Sequence, residues 1–300
     1  MKNILAIDIG GSKILTGVID ESGRVIAEKK TGLENPTQDS VLRDILASCD
    51  DFVKVHDISC ISASIPGLVD PENGIWVEAV FSKVRNFPLG NVLYERYGLP
   101  VFMENDANNC AYGEKYFGHA KEYDNFIWLT VSNGCGAGIF LNGKLFTGPG
   151  GHAGELGHIC VTEENFLCPC GNKGCLEAAA AGPGISLRYK ELTGRSCNAK
   201  EIADNARKGD EDAISIYSKT GVYIGKAIAS AVNVLNVPLV VIGGGISMDY
   251  DLFENSIAKT VQEHIYRTAN RKLLIVQTRL GYYASLIGAA ANALDRFKKQ

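Results

Sequence analysis

Short apolar runs alternate along this chain with longer stretches of helical spacing, and glycine is frequent at the breaks between them. Ile4 to Ile9 is one such run. It reads as a buried strand ending in Asp8-Ile9-Gly10-Gly11-Ser12. Ile14 to Asp20 and Arg24 to Lys29 read as two further strands, turned at Glu21-Ser22-Gly23. Together they form an antiparallel meander with a glycine turn at its first bend. The pattern returns in mid-chain. Phe126 to Val131 is followed by the glycine turn Ser132-Asn133-Gly134-Cys135-Gly136, the strand Ala137 to Leu141, a type I′ signal at Asn142-Gly143, and renewed extension from Lys144 to Thr147. A repeated unit predicts two similar lobes, each turning a glycine loop toward a cleft. Two ordinary hairpins are the plainer reading.

The remaining segments alternate. Gln38–Phe52, Leu89–Tyr97, Asn105–Phe117, Ala199–Lys208, Ala213–Leu235 and Leu252–Tyr266 have helical spacing, and Ile58–Ser64, Pro100–Glu104 and Leu239–Ile242 read as strands. This alternation predicts an α/β fold.

Composition narrows the class. In 300 residues, 46% are hydrophobic and 21% charged, which fits a globular chain. Lys+Arg is 30 and Asp+Glu is 34, a net charge of −4, so no nucleic-acid or anionic-membrane partner is expected. The N-terminus lacks the apolar core of a secretory signal, and Asn233, Asn236 and Pro238 interrupt the most apolar later stretch. With nine cysteines, an odd number, a reducing cytoplasmic setting is expected, with thiols or metal ligands rather than disulfides.

Three glycine turns follow apolar strands: Gly10-Gly11-Ser12, Gly134-Cys135-Gly136 and Gly243-Gly244-Gly245. Such turns let backbone N–H groups meet phosphate oxygens, and three of them favour a nucleotide over three merely tight turns. No Walker A loop is present. Asp106, in Glu104-Asn105-Asp106-Ala107-Asn108, stands where a strand passes into a helix. It reads either as a helix N-cap or as a general base for a hydroxyl attacking phosphate, with Asn105 holding a neighbouring hydroxyl.

His158, Cys168, Cys170 and Cys175 make a four-ligand set suited to a closed, structural zinc site, with His152 a competitor for the histidine position. Free thiols beside a chance histidine are the alternative. The other six cysteines read as small buried apolar residues. Glu155 and Glu177 flank the proposed metal in sequence. They suit gripping of sugar hydroxyls, or are solvated surface charges.

These motifs together resemble the ROK family (repressor, open reading frame, kinase) of sugar kinases, from Asp8 to about Gly288. The most specific part is Gly154-Glu155-Leu156-Gly157-His158 through Cys168, Cys170 and Cys175 to Glu177. The resemblance implies an actin-like, hexokinase-like ATPase fold, with residues 1–118 and 284–300 in a small lobe and 119–283 in a large one. It implies ATP-dependent phosphorylation of a sugar 6-hydroxyl, glucose or N-acetylmannosamine, by a cytoplasmic homodimer with Mg²⁺ and structural Zn²⁺. Asp106 is then the base, and Gly67, Asn105, Glu155, His158 and Glu177 line the sugar site, with His158 serving metal and sugar through different ring nitrogens. Asp8, Gly10, Gly11, Ser12, Lys13, Asn133, Gly134, Gly243, Gly244 and Gly245 serve ATP, with Asp8 on magnesium through water. Two departures accompany the likeness. Asn133 stands where a Thr is usual, and Ala79 to Pro88 lacks the Pro-Asn pair of many glucose-specific members, which puts glucose in doubt more than kinase activity. Repressor members carry an N-terminal helix-turn-helix. None is expected here, because Asp8 already belongs to the first phosphate motif. A sugar-binding protein with an inactive ATPase site is the remaining alternative.

Overall fold

A computed structural model describes residues 3–297. The chain divides into two compact units. One is Met1–Glu122, Thr147–His152 and Tyr282–Gln300; the other is Tyr123–Phe146 and Ala153–Gly281.

The first unit begins with β1 (Ile4–Ile9), β2 (Lys13–Ile19) and β3 (Val25–Gly32), followed by α1 (Gln38–Val53) and β4 (Cys60–Ile65). A small antiparallel sheet of β5 (Leu68–Asp70), β6 (Ile75–Ala79) and β7 (Val84–Phe87) precedes α2 (Leu89–Tyr97), β8 (Val101–Asn105) and α3 (Asp106–Phe117). The main sheet has the order β3-β2-β1-β4-β8, antiparallel across the meander and parallel from β1 to β8. The second unit carries β9 (Phe126–Val131), β10 (Cys135–Leu141) and β11 (Lys144–Leu145), then α4 (Leu176–Ala180), α5 (Gly182–Thr193), α6 (Ala199–Arg207) and α7 (Glu211–Leu235). It closes with β12 (Leu239–Gly243), α8 (Glu254–His264) and β13 (Leu274–Gln277), in the sheet order β11-β10-β9-β12-β13. The two sheets thus repeat one topology strand for strand, as the duplicated meander predicts.

The alternation of side chains explains why β1 is apolar without a gap. Leu5, Ile7 and Ile9 pack on Val41, Ile45, Cys49 and Phe52 of α1. Ile4 and Ala6 face the other way, onto Leu286, Ala289, Ala290 and Ala293 of α9 (Ala284–Phe297). A strand covered on both faces has no polar side to show. Helix α9 is also absent from the sequence-based helices. Its run from Ala284 to Ala293 is buried nearly throughout, and Ser285, Asn292 and Arg296 fall on one narrow polar stripe of an alanine-rich segment. The reading also omitted α5, the β5–β7 sheet and β13. These are short or half-buried elements with weak patterning.

Helices α3 and α9 cross at Gly288. A Cβ there would strike the backbone of Asn109 and Cys110, which has no soft atom to give way. Gly288→Ala is expected to force the helices apart and destabilise the protein by about 1–3 kcal/mol, read as a lower urea midpoint at unchanged m.

Candidate active site

In the first unit the candidate groups gather at the carboxyl ends of β1, β4 and β8. Asp8 lies opposite Ser64 in the parallel register of β1 and β4. The hydroxyl of Ser285, at the start of α9, donates to Asp8 Oδ1 at 2.7 Å, and Ser64 Oγ lies 2.6 Å from Ser285 Oγ. A hydroxyl has one proton, so Ser64 is the donor to Ser285 and the three form a directed chain. Neither serine was singled out from sequence. Ser64 ends a predicted strand, but Ser285 sits in an alanine-rich run with no local signal. The first glycine turn is closed by Gly10 N–H donating to Lys13 O at 2.9 Å. The Lys13 ammonium lies 4.1 Å from the centroid of the Tyr282 ring. The Phe81 ring lies against Gly11: a Cβ added there would meet it at 3.9 Å.

Asn105, the last residue of β8, caps α3. Its Oδ1 accepts from Ala107 N at 2.9 Å and Asn108 N at 3.3 Å, and its Nδ2 donates to Gly67 O at 3.1 Å. One amide hydrogen of Asn105 is left for a ligand. The N-cap reading of Asp106 is therefore corrected: the cap is Asn105, and Asp106 is the first helical residue. Gly67 is at φ +82°, and a Cβ there would run into the Glu78 carbonyl, so this turn admits only glycine. Asp106 is half-buried, and its Oδ1 accepts from Ala107 N at 2.9 Å. Burial, reinforced by the Asp8 carboxylate, pushes its pKa up to about 6. Burial also raises Asp8, against the pull of the Ser285 hydrogen bond and the Lys13 charge.

In the second unit the side chains of His158, Cys168, Cys170 and Cys175 bring four ligand atoms within 4.8 Å of one another. His158 Nδ1 is 3.6 Å from Cys168 Sγ, and Cys170 Sγ is 3.8 Å from Cys175 Sγ. Tetrahedral zinc, with Zn–S about 2.3 Å and Zn–N about 2.0 Å, sets neighbouring ligands about 3.5–3.8 Å apart. The four residues therefore fit zinc, and His152 is not among them. The loop is shaped by Cys168 N–H donating to Asn172 O and by Gly174 at φ +73°, where a Cβ would strike Thr162 O. His158 Nε2 faces away from the thiols, 3.7 Å from Glu155 Oε2. Of the remaining cysteines, Cys49, Cys60, Cys110 and Cys135 are buried as expected, but Cys160 is exposed and Cys197 half-buried.

Glu177, in the first turn of α4, accepts from Cys135 N–H at 3.0 Å through Oε2. A Cβ on Gly134 would sit 2.6 Å from that oxygen. The structure thus joins a residue read as a sugar contact to a turn read as a phosphate site. Asn133, at the tip of that turn, is exposed. In the third turn, Gly243 has a packing reason of its own, because a side chain there would overlap the Trp128 indole. Gly244 is at φ +89°, and its carbonyl accepts from Ser247 Oγ at 2.8 Å.

A family model described as "ROK family" matches residues 4–296. The chain belongs to the ROK family. Its relatives include a glucokinase of Thermotoga maritima, 32% identical over 98% of each chain. They also include the DNA-binding transcriptional dual regulator NagC of Escherichia coli, 31% identical over 96% of this chain and 74% of the regulator. Among solved structures, a ROK-family glucokinase from Streptomyces griseus in complex with glucose and AMPPNP superposes with a TM-score of 0.87 at 29% identity, covering 98% of this chain and 99% of that one. This ROK protein therefore has the actin-like ATPase fold that the motifs imply. Its relatives include both enzymes and regulators.

Two measurements follow from this geometry. Elemental analysis is expected to find about one zinc per chain. Cys170→Ser is expected to lower both the zinc content and the unfolding temperature. For Asp106, a pKa raised on folding means the folded chain binds that proton more tightly than the unfolded one. Its contribution to stability is therefore lost as pH climbs through about 6. Asp106→Asn should melt at a higher temperature than wild type at pH 8 and at nearly the same temperature at pH 4.

Proposed function

We propose that this ROK-family protein is an ATP-dependent hexose kinase that phosphorylates the 6-hydroxyl of glucose or N-acetylmannosamine. The observation that carries the reading is Asp106. Asn105 relieves it of helix capping, and burial and Asp8 raise its pKa to about 6, the property of a base that must take a hydroxyl proton near neutral pH. Asp106 accepts the proton of the 6-hydroxyl as that oxygen attacks the γ-phosphorus, and the bond from phosphorus to the oxygen bridging to ADP breaks. In the first unit, Asn105 offers its spare amide hydrogen to a sugar hydroxyl, and the Gly67 turn fixes Asn105. In the second unit, His158 Nε2, Glu155 and Glu177 offer hydroxyl-binding atoms on a loop that zinc would rigidify.

Gly10, Gly11, Ser12 and Lys13 of the first unit, with Asn133, Gly134 and Gly243 to Gly245 of the second, are the proposed ATP contacts. Asn133 keeps a side-chain donor where the family usually has a hydroxyl. Asp8 carries oxygens of the kind Mg²⁺ takes, and one of them is oriented by Ser285. Magnesium, when bound there, would offset charge on the phosphates. We further infer a cytoplasmic homodimer, following the family resemblance. Among the described residues no helix is long and apolar enough to cross a membrane.

The likeness to NagC favours a second reading, a sugar-responsive regulator or a sugar-binding protein without turnover. A coupled ADP-release assay with Mg-ATP over a panel of hexoses, N-acetylhexosamines and a β-glucoside separates the two. The kinase reading expects turnover with one sugar or a few, and sugar binding without turnover of any would favour the second reading. In the kinase, Asp106→Asn is expected to bind sugar normally but to lose about 10²–10⁴-fold in kcat, and kcat/KM of the wild type should fall as pH drops below about 6.

A further inference from the structure

The arm of the metal loop between His158 and Cys168 contains none of the four metal-binding residues, yet it joins two of them. Its backbone pairs with residues 173–176 of the same loop, and its side chains are fastened to one stripe of α7. Lys226 Nζ donates to Val161 O at 3.1 Å. The Tyr223 hydroxyl donates to Glu164 Oε1 at 3.0 Å, and Lys219 pairs with the same carboxylate. The Tyr223 ring also meets Phe166 edge-on, with centroids 6.4 Å apart. Residues 219, 223 and 226 are spaced i, i+4, i+7, so they present one face of the helix to the arm. Behind Tyr223 lies Arg188 of α5, 5% exposed, its guanidinium 5.3 Å from the ring centroid and donating to Thr220 Oγ1 and Ile216 O. Its Nε has no partner among the described residues, and burial draws its pKa down against the opposing pull of Tyr223 and Glu164.

These contacts differ in weight. The Lys219–Glu164 pair is nearly half exposed on both sides, and such pairs contribute little. Tyr223 is 2% exposed, and a buried hydroxyl that loses its acceptor has no water to replace it. Among the side-chain links to α7, the firmest is therefore the phenol.

We propose that Tyr223 is a positioning residue. Through Glu164 and Phe166 it anchors the loop arm from α7, independently of the metal, and so fixes the setting of Glu155 and His158. The consequence for sugar affinity rests on the kinase reading above, whereas the consequence for the metal does not. A second anchor slows the opening of the arm that a chelator needs in order to extract zinc.

The test uses the zinc-loaded full-length chain and Tyr223→Phe, which removes one oxygen and keeps the ring. Zinc release to excess chromophoric chelator is expected to be about fivefold faster in the variant, the scale of one lost hydrogen bond. In the same preparation the KM for the sugar is expected to rise about fivefold with kcat within about twofold, the pattern of lost binding rather than lost chemistry. Glu164→Gln keeps an acceptor oxygen for the phenol and is expected to stay near wild type in both readouts. Wild-type zinc release in Tyr223→Phe overturns the proposal. So does a Glu164→Gln variant as impaired as Tyr223→Phe, which would place the anchor in the Lys219 charge pair. A wild-type chain with no turnover on any sugar would count against the kinase reading alone, since zinc release still decides the anchor.

Discussion

Charge cannot lie within a strand buried on both faces, because an ionised group taken out of water without compensation is too unfavourable. This constraint organises the first unit. Its central strands β1 and β4 are covered on either side, so they carry apolar and small side chains until the chain reaches their carboxyl ends. Asp8, Ser64, Asn105 and Asp106 appear there together. The same sheet that keeps charge out of its middle concentrates it at one edge, where two carboxylates share one electrostatic environment. Each raises the free energy of ionising the other. The chain tolerates this because Ser285 and Lys13 hold Asp8, while Asn105 carries the capping that Asp106 would otherwise perform.

The second unit repeats the topology with different chemistry at the corresponding turn. After β1, the glycine turn is followed by Lys13, whose ammonium stacks on Tyr282. After β9, the turn is braced by Glu177, a carboxylate reached from the metal loop. Glu177 thus has two attachments, through Oε2 to the backbone of the glycine turn and through Oε1, 4.0 Å from Cys168 Sγ, to the His–Cys cluster. A loop without much core of its own can hold a carboxylate steady only if it is fixed at several points. The four-ligand cluster fixes one part of this loop and the α7 stripe fixes another.

Close backbone approach is the third recurring device. At Gly288, Gly243, Gly134 and Gly67 the missing side chain is replaced by a helix backbone, an indole, a carboxylate and a carbonyl respectively. Only the last of these positions also has a positive φ. Glycine abundance in this chain is therefore partly a packing requirement, not only a matter of tight turns.

Much of this was legible in the sequence. The meander and its repeat were readable because an unbroken apolar run followed by glycine is a local signal. The clustering of His158 with Cys168, Cys170 and Cys175 was readable because three cysteines and a histidine at short spacing have few other uses. Asp106 stood out as a carboxylate at a strand-to-helix junction. Tertiary structure decided the rest, since those facts depend on residues far apart in the chain. Helix α9 is alanine-rich with only a narrow polar stripe at Ser285, Asn292 and Arg296, and it was not read as a helix from sequence. Ser285 acquires its part only when α9 returns to lie beside β1. Whether Asn105 or Asp106 caps α3 depends on backbone angles that neighbouring residue types leave open. Glu177 meets Gly134, and Tyr223 meets Glu164, across dozens of intervening residues. Local patterning fixes which segments are strand or helix and which side chains are unusual. Only packing determines which unusual side chains meet, because that depends on non-local contacts that no short stretch of sequence encodes.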